Sequence, residues 1–212
     1  MKGFIKIIAC LLLISLLCLA ACGCKNNADA SNNGEEMTEL DYSDIDLREY
    51  VKEITYKGLT VMLGSADASR EEALWGEILK NTSISSYPED KVEYYFQQQR
   101  AYYMYTVNND EDAYAELLSL RGISEEDMLD EARRMVAKDM IYRLVSDAEG
   151  IELTGDEKNR LFDRYVEKFV SDYGYTKAYV SENMSEEVYE SMLYDKTMEY
   201  LILQNTFVTP NE

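Results

Sequence analysis

Three observations predict an all-α fold for the main part of this chain. Residues that start helices recur between positions 69 and 185, and each precedes a stretch long enough for a helix. Proline, which breaks helices, occurs only at positions 88 and 210. Apolar residues recur at spacings of three and four, which places them on one face of a helix.

The first 21 residues predict an export signal. Lys2 and Lys6 supply its positive charge, and residues 7–19 form an apolar run that is short for a membrane-spanning helix, which needs about 20 residues. Leu19-Ala20-Ala21-Cys22 follows and resembles the lipobox of bacterial lipoproteins. The resemblance implies cleavage before Cys22, addition of a diacylglyceryl group to its thiol, and anchoring on the outer face of the cell membrane. An ordinary cleaved signal peptide is the alternative.

Residues 22–41 are expected to form the lipidated cysteine and a flexible tether, because they are rich in small and polar residues and have little to bury. One folded domain is predicted from residue 42 to residue 212. Near its start, β-branched and apolar residues at 59–62 predict one short extended segment.

Capping residues and breakers set the order of the helices. Helices are predicted at 69–80, 88–107, 110–120, 124–150, 154–174, 177–183 and 185–204. Ser69 with Glu72, and Thr154 with Glu157, have the spacing of capping boxes, and Pro88 suits a first helical position. Glycines are expected to end three of these helices, at positions 122, 150 and 174.

Apolar stripes along three of the helices predict the core. They comprise Met128, Ala132, Met135, Val136, Met140 and Leu144, then Leu161, Tyr165, Phe169 and Val170, then Val188, Met192, Tyr194, Met198 and Leu201.

Composition limits the function. The chain carries 41 acidic and 21 basic residues, a net charge of −20, and loss of the two lysines with the signal leaves −22, which repels nucleic acid. Histidine is absent, which removes the usual general base and the commonest metal ligand. Of the four cysteines only Cys24 could keep a thiol in the mature chain, so no disulfide is expected. We predict no enzyme activity, no metal site and no cofactor.

The most unusual segment is the tyrosine-rich helix predicted after Pro88. Its aromatic residues occupy two faces, one with Val92 and Tyr103 and a second with Tyr94 and Tyr105. The first face can pack in a core, whereas the second needs another partner, either a neighbouring helix or a client polypeptide. The candidate client-binding residues are Tyr94, Tyr102, Met104 and Tyr105.

Other patterns have simpler explanations. The acidic clusters at 125–127 and 186–187 lie in first helical turns, where the helix dipole stabilises negative charge. The segment 108–112 is rich in Asn and Asp but lacks the ligand spacing and glycine of a calcium loop, so we interpret it as a turn and cap. The ten methionines are interpreted as core residues, with a soft binding surface as the alternative.

Several motifs, in this order, resemble the C-terminal domain of trigger factor. They are Tyr56-Lys57-Gly58-Leu59, the Pro-Glu helix start in Tyr87–Glu93, the Glu-Gly-Ile helix junction in Ala148–Glu157, the break at Tyr173-Gly174-Tyr175 and the terminal helix Tyr189–Leu203. The similarity covers residues 56–204. It implies a long-armed, all-helical chaperone body, similar in architecture to SurA-like periplasmic chaperones, that holds unfolded chains without ATP.

Two features of trigger factor have no counterpart in this sequence. The first is the basic ribosome-docking loop, so ribosome binding is not expected. The residues between Met62 and Ser69 are too few for a prolyl isomerase domain.

We therefore expect an extracytoplasmic, lipid-anchored holdase for unfolded or newly exported polypeptides. The alternative is a non-catalytic lipoprotein that docks one folded envelope partner. A solute-binding lipoprotein is disfavoured, because strands and helices do not alternate.

Overall fold

The computed structural model describes residues 40–65 and 67–209, and helices dominate this part of the chain, as predicted. A short 3₁₀ helix at Leu47–Glu49 precedes the first strand. Seven α-helices follow in the described residues: α1 (Arg70–Lys80), α2 (Glu89–Thr106), α3 (Glu111–Arg121), α4 (Glu125–Glu149), α5 (Gly155–Tyr173), α6 (Lys177–Asn183) and α7 (Ser185–Leu203). All seven predicted helices are therefore confirmed, with ends that differ by a residue or two.

Four short strands accompany the helices: β1 (Val51–Ile54), β2 (Thr60–Met62), β3 (Thr82–Ile84) and β4 (Thr206–Val208). β1 pairs antiparallel with β3, and β2 pairs parallel with β4, where Val61 lies opposite Phe207. The extended segment predicted near 59–62 is β2. The other three strands were not predicted from the sequence.

The helix ends confirm most of the predicted caps. The Ser69 hydroxyl accepts a hydrogen bond from the Glu72 N–H at 3.2 Å. Thr154 and Glu157 form a reciprocal capping box at the start of α5. Gly122 ends α3 with a φ of 63°, a left-handed conformation that costs a glycine nothing.

In two helices the N-cap residue makes no side-chain hydrogen bond. Pro88 lies at the N-cap of α2 with extended backbone and not inside the first turn, although its fixed φ suits both places. Ser185 is the first residue of α7, and Met184 at the N-cap makes no side-chain hydrogen bond.

The predicted domain from 42 to 212 contains two compact units. The first, which we call the hairpin unit, has residues 40–44 and 88–135, and so holds α2, α3 and the first part of α4. Its core consists of Tyr103, Met104, Tyr114, Leu118 and Met128. The packing of α3 back onto α2 through these residues makes the pair an αα-hairpin.

The second unit, which we call the base unit, has residues 45–87 and 136–209 of the described chain. Its main core joins strand β2 to helices α1, α4 and α7. The residues buried together there are Val61, Leu74, Trp75, Ile78, Ile141, Tyr142, Val145, Met198 and Leu201. In the same unit α5 packs against α6 and α7. The predicted stripes of α4, α5 and α7 are buried or half-buried throughout, which confirms them as core.

The predicted signal, the lipidation site Cys22 and most of the tether lie outside the described residues. In residues 40–65 and 67–209, none of the helices is long and apolar enough to cross a membrane.

Candidate functional site

The tyrosine-rich helix α2 is the centre of the candidate site. Its first turn carries Glu89 and Asp90, which the helix dipole stabilises there. Its last turn leads into Asn108 and Asn109, which both have positive φ, at 55° and 60°. Asparagine tolerates this conformation better than most residues, so two successive asparagines allow the chain to reverse direction tightly before α3.

One face of α2 packs in the hairpin core as predicted. Val92 and Tyr103 are buried, each 8% exposed, and Phe96 packs against the same core from the side. The Tyr114 hydroxyl of α3 lies 3.7 Å from the sulfur of Met128, which ties α3 to α4 inside this core. Burial, which disfavours the charged phenolate, raises the pKa of Tyr114 above its ordinary value.

The four candidate residues separate into different environments. Tyr105 is 63% exposed, whereas Tyr94 is half-buried with its ring edge-on to Tyr95 at 5.5 Å between centroids. Tyr102 is half-buried and packs against the hairpin core.

Met104 corrects the prediction. It is only 8% exposed and belongs to the hairpin core, so it is not available to a client. The reason is local geometry: Met104 lies beside the core residue Tyr103, and the return of α3 covers both side chains. The methionine is therefore core, as we interpret most methionines of this chain.

We call Tyr94, Gln97, Ala101 and Tyr105 the outer stripe of α2, because their spacings of three and four place them on one side of the helix. Their exposure rises along the stripe, from half-buried at Tyr94, Gln97 and Ala101 to exposed at Tyr105. An exposed apolar residue that sequence reasoning missed is Leu120 in α3, which is 78% exposed. Leu120 lies two residues after the buried Leu118, on a different face of α3, and this spacing could have predicted its exposure.

The basic residues around these helices are engaged within the hairpin unit. Arg100 makes a bidentate contact to the Glu111 carboxylate, at 2.7 and 3.0 Å, and lies over the Tyr114 ring at 5.4 Å. The Arg121 guanidinium lies over the Tyr103 ring at 5.5 Å. Acidic residues outnumber basic ones here, so the surface around the outer stripe is negative.

The base unit contains a charged cluster whose residues come from three of the motifs that suggest a resemblance to trigger factor. The Glu149 carboxylate, at the end of α4, contacts the Lys57 ammonium at 2.6 Å and accepts hydrogen bonds from the hydroxyls of Tyr56, at 2.6 Å, and Tyr200. These contacts, led by the one to Lys57, lower the pKa of Glu149 to about 2. Burial and the bond to Glu149 raise the pKa of Tyr56 to about 12. The cluster joins the start of β2 to the ends of two helices.

A second cluster of the base unit surrounds Trp75, the one tryptophan of the chain. Its indole N–H donates to the Tyr194 hydroxyl at 2.8 Å, which in turn donates to Glu71 at 2.7 Å. The Tyr142 ring lies edge-on to Tyr194 at 5.3 Å, and its hydroxyl donates to Glu190. Burial is the main reason why the pKa values of both tyrosines are raised. Each tyrosine thus has a carboxylate acceptor and helps to join the helices, which is a structural role.

In the described residues, no group of three or more His, Cys, Asp or Glu is arranged to hold a metal ion. The Asn- and Asp-rich segment 108–112 instead forms the corner between α2 and α3, where Asp110 caps α3 by accepting from the Ala113 N–H at 3.0 Å.

Comparison with protein-family models, curated proteins and solved structures found no match for this chain.

Proposed function

We propose that this protein is a lipid-anchored extracytoplasmic chaperone that holds unfolded or newly exported polypeptides without ATP. The observation that carries the proposal is the outer stripe of α2, where an aromatic side chain, Tyr105, is 63% exposed in the last turn of the helix. An exposed apolar position on a helix that already has a packed inner face favours a binding role.

Tyrosine suits contact with many different sequences. Its ring offers apolar area at a small cost in side-chain entropy, and its hydroxyl can remain in water. The half-buried Tyr94 and Tyr102 extend the aromatic area on α2, and Leu120 adds an exposed aliphatic side chain in α3.

The size of this surface predicts weak binding. A tyrosine buries about 150–250 Å², so covering the exposed part of Tyr105 contributes about 2–4 kcal/mol at about 25 cal/mol per Å². Micromolar affinity needs about 8 kcal/mol. One ring is therefore too little, and a client must contact several partly exposed side chains at once. Weak, distributed contacts suit a chaperone that releases its clients without ATP.

The acidic composition supports the same proposal. A net charge of −20 repels other copies of the chain and keeps a protein with exposed apolar side chains soluble. Because Arg100 and Arg121 make contacts within the hairpin unit, the acidic residues, which are in excess there, dominate its surface charge. A holdase has to stay soluble while it exposes an apolar binding surface.

An aggregation assay tests the proposal. The purified full-length protein is mixed with several unrelated proteins as they unfold, and light scattering is followed. A chaperone suppresses the scattering of most of them near a one-to-one ratio. If the protein suppresses none of them and instead binds one folded envelope protein tightly, the docking alternative is correct and the proposal fails.

A further inference from the structure

The small parallel sheet of the base unit combines two stretches of sequence that have no charge. Residues 58–66 and 200–211 contain no Asp, Glu, Lys or Arg, although charged residues make up 29% of the chain. β2 comes from the first stretch and β4 from the second, and they pair in register. Two uncharged stretches of sequence are therefore brought together in a strongly acidic protein.

The two faces of this sheet differ. Val61 is 1% exposed and belongs to the main core, and the Arg70 guanidinium lies over the ring of Phe207 at 5.3 Å. The alternate residues point the other way, so that Met62 is 60% exposed and its neighbour Val208 is 37% exposed. The outer face of the sheet thus exposes Met62 and part of Val208, next to the exposed threonines Thr60 and Thr206.

One edge of β4 has no partner strand among the described residues. The Thr206 N–H donates to the Leu59 carbonyl at 3.0 Å, and the Val208 carbonyl accepts from the Leu63 N–H at 2.9 Å. Because backbone groups alternate sides along a strand, the N–H and carbonyl of Phe207 point away from β2. In the described residues β4 has β2 as its one partner strand.

Proteins usually limit pairing at such an edge with a charge or a proline in the strand, or by keeping the edge strand very short. β4 is short, with three residues, but neither β2 nor β4 contains a charge or a proline. A two-stranded sheet is also marginal by itself, so a third strand would stabilise it. An extended polypeptide segment is the expected ligand of this edge, because only an extended backbone presents hydrogen-bonding groups at the matching spacing.

We propose that the open edge of β4 is a strand-addition site for an extended, uncharged segment of another polypeptide. The bound segment would continue the sheet with its backbone and place alternate apolar side chains beside Val208. This surface lies in the base unit, whereas the outer stripe of α2 lies in the hairpin unit. The proposal goes beyond the holdase function and does not require it.

The test uses a fluorescent ten-residue peptide of alternating Val and Thr, carried on a polyethylene glycol tail for solubility, with the full-length protein. Two derivatives are N-methylated at alternate residues, one on the odd and one on the even positions. Strand addition needs the N–H groups on one side of the peptide only, so one derivative should lose binding and the other should keep it. Equal binding of both derivatives, or no binding of the parent peptide, overturns the proposal.

Protein variants locate the site. Val208→Lys adds a charge to the open edge and should weaken peptide binding by about tenfold or more. Leu203→Lys is the matched control, because Leu203 is 81% exposed but lies in α7 and outside the strands, and its binding should be unchanged. Circular dichroism confirms that both variants are folded. Equal loss in both variants overturns the assignment.

A second copy of the chain is the competing occupant. Sedimentation of the protein without peptide distinguishes it, because edge-to-edge pairing would give a dimer that Val208→Lys dissociates. That result overturns the proposal, whereas a monomer whose Phe207 amide exchanges more slowly with peptide present supports it. Loss of peptide binding leaves the aggregation assay unaffected, so the two proposals fail separately.

Discussion

The Lys57 ammonium lies 2.6 Å from the Glu149 carboxylate, although the two residues belong to the two separate stretches of sequence that form the base unit. Tyr56 and Tyr200 donate their hydroxyls to the same carboxylate, and the Lys57 ammonium lies 5.5 and 5.6 Å from the centroids of their two rings. Tyr56, Lys57, Glu149 and Tyr200 thus form a local structural joint, and this role explains their presence in the sequence without any binding function.

This joint predicts how stability depends on pH. The pKa of Glu149 is lowered from 4.5 to about 2 in the folded protein, so its contribution is complete above the unfolded value and is lost as the pH falls toward 2. Glu149→Gln should therefore lower the melting temperature at neutral pH and make less difference as the pH falls below about 4.5. The control is Glu182→Gln, an exposed carboxylate in α6. A Glu149→Gln difference that stays constant across this pH range would contradict the account.

The hydrogen bond from Trp75 to Tyr194 predicts a cost for losing one hydroxyl. Tyr194→Phe keeps the ring but leaves the buried indole N–H without its acceptor, which should cost about 1–3 kcal/mol. Urea unfolding followed by Trp75 fluorescence measures this, and Tyr105→Phe on the surface is the control. A loss below the error of the control would show that the indole finds another acceptor.

The neighbours Met104 and Tyr105 predict opposite effects on stability. Met104→Ala removes a core side chain and should cost about 2–5 kcal/mol. Tyr105→Ser changes an exposed side chain and should cost within about 0.5 kcal/mol. Denaturant unfolding of the two variants checks both values. Equal losses would mean that the hairpin packs differently around α2.

The lipobox resemblance predicts the effect of losing the anchor. Cys22→Ala should prevent lipidation and release or mislocalise the protein, since the resemblance implies that both acyl chains are attached through this one cysteine. Mass spectrometry of the mature N-terminus and membrane fractionation measure the two effects. A wild-type protein without lipid, together with a variant that stays on the membrane, would contradict the prediction.

The helices could be predicted from the sequence because their ends depend on local chemistry. Ser69, Thr154 and Gly122 each act within a few residues of the helix they limit, so their spacing alone is informative. Of the four described strands, β2 was predicted and the other three could not be. Strands of three or four residues show too little alternation, and β2 and β4 pair across almost the whole of the folded part.

The candidate site shows the same limit. Helical spacing correctly separated the buried Tyr103 from the exposed Tyr105, because both faces belong to one helix. It could not show that Met104 is buried, because that depends on where α3 returns. Nor could it place Lys57 beside Glu149, since that contact depends on tertiary packing.

The most direct test of the central claim is the aggregation assay with the outer stripe altered. A full-length variant with Tyr94→Ser and Tyr105→Ser is compared with the wild type and with Leu203→Ser, which changes an exposed apolar residue in the base unit. If the outer stripe holds clients, the double variant stays folded and loses most of its suppression of aggregation, while Leu203→Ser retains it. A well-folded double variant that suppresses aggregation as fully as the wild type would contradict the claim.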